Sequence, residues 1–343
     1  DSLLQHSIFF SNGFCFLHES NKGITAILAG IPTLTDIPLY HSQHVNMPVT
    51  AVGKALGQNG YHSLFCIGDE YDNFGFAKCM NWLGIDHYYS KEDIPGYKNA
   101  PVHPMGLQDE AVLPFFLSRL EEIQKPFLGI HYNISTHYPY DLPPGYDKKF
   151  PGNYTGPMKS MQYYDHCLQQ FFRQAERTDW FSNTLFIFCS DHWMFPEGVE
   201  GKYDPVGGYR IPIIVFDPAS SKKEINTRMV SQFDVLGTIL ASAGYKDSII
   251  SYGGNLLDSS SLKGHAYSKA GPSLYQVTNS THILGFNTVT GRVEYLYNYK
   301  DDRQLRNDLV SNKNASAVRD ALLMQVKLFI QKAGSHYNGE PLR

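Results

Sequence analysis

The chain has 343 residues, enough for two ordinary domains or for one large α/β domain with an appendage. Lys and Arg number 29 against 33 Asp and Glu, a net charge of −4, so no basic excess points to nucleic acid or to an anionic lipid surface. At 42% hydrophobic and 18% charged residues the composition excludes disorder, no apolar run is long enough to span a bilayer, and five cysteines without a CxxC pair exclude a disulfide scaffold or a Cys-rich zinc module.

In chain order, apolar runs at 7–10, 63–67, 127–134, 184–189 and 211–216 predict strands. Helical patterns fall between them. Ser20 precedes Ile24, Ile27 and Leu28 in a helix that ends at Gly30, and Pro48 opens a helix over 49–58. Asp109 precedes Leu113, Phe116, Leu117 and Leu120; Met161, Tyr164, Leu168, Phe171 and Ala175 form one stripe; a further helix covers 232–243. This alternation predicts a three-layer α/β/α sandwich around a mostly parallel sheet. From about residue 262 the pattern changes: 282–287 and 292–297 flank a turn ending in Gly291, and a helix follows over 318–332. The expected division is an α/β domain over 1–261 and a small α+β subdomain over 262–343. Asn-x-Ser/Thr sequons at Asn133, Asn153, Asn279 and Asn314 are too short a motif to carry weight.

In open α/β sheets ligands bind beyond the carboxyl ends of the strands, so the polar residues just after each strand are the candidates. Asp191 and His192 follow 184–189, His137 follows 127–134, Asp69 follows 63–67, and Ser20 opens a helix soon after the first strand. Each has a structural alternative. Ser20 could be an N-cap, Asp69 a turn residue after Gly68, His137 a satisfied structural imidazole, and Asp191-His192 a turn with a buried ring. Together they place a hydroxyl, carboxylates and imidazoles at one sheet edge, with Trp193, Tyr138 and Tyr140 adjoining them. Adjacent Asp and His suit a divalent metal, and a hydroxyl at a helix N-terminus suits attack on a bound phosphate. His41 and His44 have no partner acid nearby and are expected to be loop histidines. GxGxxG after a strand, GxxxxGK[ST], GxSxG and HExxH are all missing.

At these residues the chain resembles a known family. The segments "SNKGITAILAGIPTL", "FCIGDEYDNFGF", "YNISTHYPYDLP", "FIFCSDHW" and "YRIPIIVFDP", followed by "EYLYNYKDDRQLRNDL", are similar in order to the sulfatase-like branch of the alkaline phosphatase superfamily. Within it they look most like the lipoteichoic acid synthase or phosphoglycerol transferase group. The resemblance implies that Ser20 is a metal-bound nucleophile, that Asp191 and His192 are metal ligands with it, and that His137 binds the substrate phosphate. It also implies that Asp69 lines the headgroup pocket, and Trp193 adjoins these residues as a substrate-binding candidate. Two departures stand out: Ile67 occupies a position where the synthases carry His, and Phe76 one where they carry Arg. The family's first strand, which ends in an Asp or Glu completing the metal site, is expected upstream of Asp1, leaving either a completing segment or a gap beside 184–189.

The implied function is a metal-dependent transferase with Mn²⁺ favoured over Mg²⁺, Ca²⁺ or Zn²⁺. It would move a phosphoglycerol-like headgroup from a phospholipid to a glycan or lipid acceptor through a phospho-Ser intermediate. The resemblance places it outside the cytoplasm, as the domain of a membrane protein tethered upstream. A phosphodiesterase or sulfatase-like hydrolase on the same scaffold and a catalytically silent binding domain are the alternatives. The C-x-P-S-R motif of formylglycine sulfatases does not occur, and Cys15 lacks its context.

Overall fold

β-Branched and aromatic runs form the strands of this protein and amphipathic segments the helices, as a computed structural model shows for residues 3–150, 152, 156–194 and 204–340. Asn153 lies outside the described residues. The elements are β1 (Ser7–Phe14), α1 (Ser20–Ala29), α2 (Val52–Gln58), β2 (His62–Ile67), α3 (Phe76–Leu83), β3 (His87–Tyr89), β4 (Val102–His103), β5 (Gly106–Leu107), α4 (Asp109–Glu122) and β6 (Phe127–Tyr132). They continue with α5 (Gly156–Ala175), β7 (Phe186–Cys189), β8 (Arg210–Phe216), β9 (Glu224–Ser231), α6 (Phe233–Ser242), β10 (Ala266–Lys269), β11 (Leu274–Thr278), β12 (Ile283–Asn287), β13 (Val293–Tyr297) and α7 (Ser316–Tyr337). The helix expected from 49 begins at Val52, because Ala51 keeps an extended backbone. The short α3 and β3, and the strands β9 to β11, were not legible as apolar runs.

The chain divides into two compact units. Among the described residues the first comprises 3–50, 185–194 and 204–340, and the second comprises 51–184. Residues from 262 onward therefore belong with the N-terminal strands. The tie is direct: Lys269 N–H donates to Phe16 O at 2.8 Å and Ser268 Oγ to Cys15 O at 2.8 Å, which binds β10 to the segment after β1.

In the first unit one sheet has the order β7-β8-β1-β9. β8 runs antiparallel to both β7 and β1, while β1 and β9 are parallel. This sheet is mixed, and the parallel sheet expected from the alternation is that of the second unit. Only seven residues separate β8 from β9 and no helix lies between them, and a parallel pair needs a longer crossover. Phe10, Phe14, Ile213, Val215 and Val230 form its core. The second sheet, β10-β11-β12-β13, is an antiparallel meander covered by α7, with Tyr267 stacked on Phe329 at 4.2 Å. The expected hairpin is β12–β13 of this sheet, and the expected helix is α7.

The second unit holds the parallel sheet β3-β2-β6, with α2 to α5 and the small β4–β5 ladder. β2 is central, and Leu64, Phe65, Cys66 and Ile67 are buried as a two-sided parallel strand requires. β7, the strand expected to flank a gap, is an edge strand: among the described residues it pairs with β8 alone. β6 likewise pairs only with β2. Every residue of both strands is half-buried despite their apolar sequences.

Candidate active site

α1 positions Ser20. Residues 22–26, Leu28 and Ala29 are all buried, so the helix is enclosed on nearly every side, and Gly30 ends it in the left-handed region at φ 63°. Ser20 is the first helical residue and Glu19 is the cap, with its carbonyl accepting from Lys22 N–H and Gly23 N–H. The Ser20 hydroxyl does not cap the helix; it lies 3.2 Å from His192 Nε2. Lys22 is buried and pairs with Glu19 at 2.7 Å on the same turn.

β7 delivers the other groups. Asp191 Oδ1 accepts from His192 N–H at 2.9 Å, and Asp191 Oδ2 is 3.5 Å from His192 Nε2. His192 Nδ1 is 2.8 Å from Trp193 O, a contact that places the ring proton on Nδ1 and leaves the Nε2 lone pair toward Ser20 and Asp191. The approach of α1 to this loop is close enough to require glycine: a Cβ on Gly23 would lie 2.2 Å from Asp191 O. Ser20, Asp191 and His192, chosen from the sequence, are thus brought together by the fold.

Two oxygens and one imidazole nitrogen fit a divalent cation in donor chemistry. The third donor is the hydroxyl, since among the described residues no group of three His, Cys, Asp or Glu side chains is placed to hold an ion. Beside them, and missed from the sequence, is His18. Its Nε2 donates to Gly208 O at 2.6 Å, and its ring stacks on Tyr209 at 4.2 Å and tilts toward Trp193 at 6.4 Å. Burial holds its imidazole below the usual histidine pKa. Only closeness to Ser20 in the chain could have signalled it.

In the second unit the strand-end residues have other partners. Asp69 is 3% exposed, and its carboxylate accepts from Glu70 N–H at 2.7 Å and from the Asn73 amide at 2.8 Å, the contacts of a loop organiser. Burial raises its pKa, against the lowering effect of those hydrogen bonds. His137 is exposed; its Nδ1 lies 2.7 Å from Tyr138 O, which leaves Nε2 to meet a ligand. Its loop is held from behind. His103 Nε2 donates to His137 O at 3.0 Å, and Asp109 Oδ2 accepts from Ser135 N–H at 2.8 Å while Oδ1 lies 3.1 Å from His131 Nε2. Ile67 and Phe76 are core residues, with Phe76 against Tyr132 at 5.0 Å. His44 is structural, its Nδ1 donating to Tyr337 O at 3.0 Å.

The family model described as Sulfatase matches residues 1–245. Lipoteichoic acid synthase 1 of Bacillus subtilis (strain 168) is 22% identical over 259 residues, which is 67% of this chain and 39% of that protein. The chain therefore spans well under half the length of that relative. A protein in the alkaline phosphatase superfamily from Vibrio parahaemolyticus has a similar structure, with a TM-score of 0.81 and 18% identity over 99% of this chain and 82% of the other. The lipoteichoic acid synthase LtaP from Listeria monocytogenes gives 0.75 and 17% over 100% and 86%. Among the described residues no helix is long and apolar enough to cross a membrane.

Proposed function

The chain belongs to the sulfatase family and has the α/β fold of the alkaline phosphatase superfamily, and from that premise we propose that it is a metal-dependent phosphoryl-group transferase. It moves a phosphoglycerol-like headgroup from a phospholipid to a glycan or lipid acceptor. One observation carries this reading: a serine hydroxyl on the first turn of a helix lies 3.2 Å from an imidazole nitrogen whose neighbouring carboxylate faces it.

Ser20, Asp191 and His192 would hold the cation, proposed as Mn²⁺ because an oxygen-rich set with one imidazole does not demand zinc. Bound there, a divalent ion lowers the pKa of a hydroxyl and offsets charge on a phosphoryl group. The chain's own residues do the rest. Ser20 Oγ loses its proton and forms a bond to phosphorus as the bond to the donor's alcohol oxygen breaks; that oxygen leaves with a proton. The acceptor hydroxyl then displaces Ser20 Oγ, which regains its proton. The start of α1 favours the anionic group. His137, through Nε2, is proposed to hold a phosphate oxygen or to protonate the leaving group, and Trp193 to line the substrate. Asp69 is proposed to shape the headgroup loop through the bonds it makes to Glu70 and Asn73. A membrane tether outside this chain and an extracytoplasmic location complete the proposal.

The test is to incubate the full-length protein with Mn²⁺ and phosphatidylglycerol, quench, and map adducts by mass spectrometry. A phosphoglycerol mass on Ser20, lost in Ser20→Ala, is expected, with turnover that depends on an added acceptor. Turnover to glycerol phosphate without any acceptor dependence would identify the hydrolase instead. Undiminished activity in Ser20→Ala would end the assignment of the nucleophile.

A further inference from the structure

Gln232 lies at the entry to α6 and is fully buried. Its side-chain Oε1 accepts from Phe16 N–H at 3.1 Å, and its Nε2 donates to Ser190 O at 2.9 Å and to Asp191 O at 2.5 Å. Its backbone N–H donates to Phe14 O at 3.2 Å. A single amide thus uses its acceptor and both donors on two chain segments. One leads from β1 into α1 and Ser20; the other leads from β7 into Asp191 and His192.

We infer that Gln232 is the positioning residue that sets the separation between the Ser20 hydroxyl and the Asp191–His192 pair. Asp191 O is held by the Gln232 amide and is also the atom that a Cβ on Gly23 would strike at 2.2 Å. That carbonyl is therefore fixed against α1 while the Asp191 side chain remains directed at His192. The chemistry is specific to glutamine: a carboxylate cannot donate to two carbonyls, an aliphatic chain can do neither, and Asn is one methylene too short. Burial makes the arrangement strict, because without the amide Phe16 N–H would lose its acceptor and Ser190 O would keep the weak thiol donor of Cys189 at 3.4 Å.

The role rests on the phosphoryl-transfer reading, so its test separates the two. Gln276 is a buried amide in the same unit, donating to Pro205 O at 3.3 Å and accepting from Tyr295 O–H, and it serves as the control. In the full-length protein, Mn²⁺ affinity by calorimetry, kcat and KM, and hydrogen exchange of the metal-free form are measured for Gln232→Met, Gln232→Asn and Gln276→Met. Gln232→Met is expected to weaken Mn²⁺ binding about 10–100-fold, the range for residues that orient metal ligands. It should lower kcat with KM within a factor of about two, and expose Phe16 N–H to exchange without metal. Gln276→Met should lower Tm alone.

Equal Mn²⁺ affinity and kcat in the two Met variants would overturn the positioning role and leave the phosphoryl-transfer reading standing. A wild-type protein that takes up no Mn²⁺ and forms no Ser20 adduct would overturn both. If Gln232→Met does not fold, Gln232→Asn decides: weaker binding supports the role, and wild-type affinity rejects it.

Discussion

Asp191 follows β7 and Asp69 follows β2, so the two carboxylates hold equivalent places at strand ends, yet the protein uses them differently. Asp69 is 3% exposed and both its oxygens are taken by its own loop, from Glu70 N–H and the Asn73 amide. Asp191 is half-buried; one oxygen accepts from His192 N–H while the other faces His192 Nε2, 3.5 Å away. A carboxylate that saturates its acceptors locally organises a loop, and one that keeps an oxygen beside an imidazole can bind a cation. The difference lies in the residues just past each carboxylate. After Asp69 the turn offers an Asn side chain at i+4, whereas after Asp191 the ring of His192 is tied back to Trp193 O and presents Nε2.

Matched alanine variants sharpen this contrast most. Asp191→Ala should weaken Mn²⁺ binding by more than the roughly 100-fold that outer residues of metal sites can cost, with little change in Tm. Asp69→Ala should leave Mn²⁺ affinity intact and cost about 1 kcal/mol of stability, because it removes two part-buried hydrogen bonds from the loop. Calorimetry and thermal melts on the pair check both, and a metal-affinity loss in Asp69→Ala would erase the distinction.

A smaller effect is expected from two glycines. Gly23→Ala places a methyl 2.2 Å from Asp191 O, whereas Gly57→Ala on α2 meets nothing within 4 Å. Alanine gains about 1 kcal/mol of helix propensity over glycine, and overpacking against an immovable backbone costs about 1–3 kcal/mol. Gly23→Ala should therefore lose stability and up to about 100-fold in turnover through displaced reacting groups. Gly57→Ala should be neutral or stabilising. Gly23→Ala with full turnover would show that α1 and the Asp191 loop move apart freely.

The smallest effect is in pH. Burial raises the Asp69 carboxyl above its ordinary value, so between the two values the native state binds more protons than the unfolded chain. The stability contribution of Asp69 then falls as pH rises through that window and recovers as pH is lowered toward the ordinary carboxyl range. Paired melts of wild type and Asp69→Ala cancel other titrations. The wild-type advantage should grow on acidification, and an advantage that shrinks instead would show that hydrogen bonding, not burial, governs this group.

Much of the fold was legible because it is local. The stretch 211–216 is nearly the observed β8, Asp109 starts α4, and Gly30 closes α1 in the left-handed conformation that glycine tolerates. Strand direction was not legible: β8 runs against both neighbours, and nothing in Arg210–Phe216 distinguishes an antiparallel strand from a parallel one. The boundary at 261/262 followed a change of pattern, but β10 is bonded to Phe16 and Cys15, which no local pattern reveals.

For the candidate site, residue types after strands and the ordered motifs singled out Ser20, Asp191 and His192, because a helix start and a strand end are short-range features. By itself the sequence determined which chemistry was available: a hydroxyl, a carboxylate and an imidazole on connected elements. Only tertiary structure decided that Ser20 and His192, 172 positions apart, come within 3.2 Å, and that Asp69 spends its oxygens on its own loop. It also made Gln232 and Gly23 part of the site. The physical reason is that a hydrogen-bonding group's role depends on which donors and acceptors reach it first, and those partners are set by packing between distant segments.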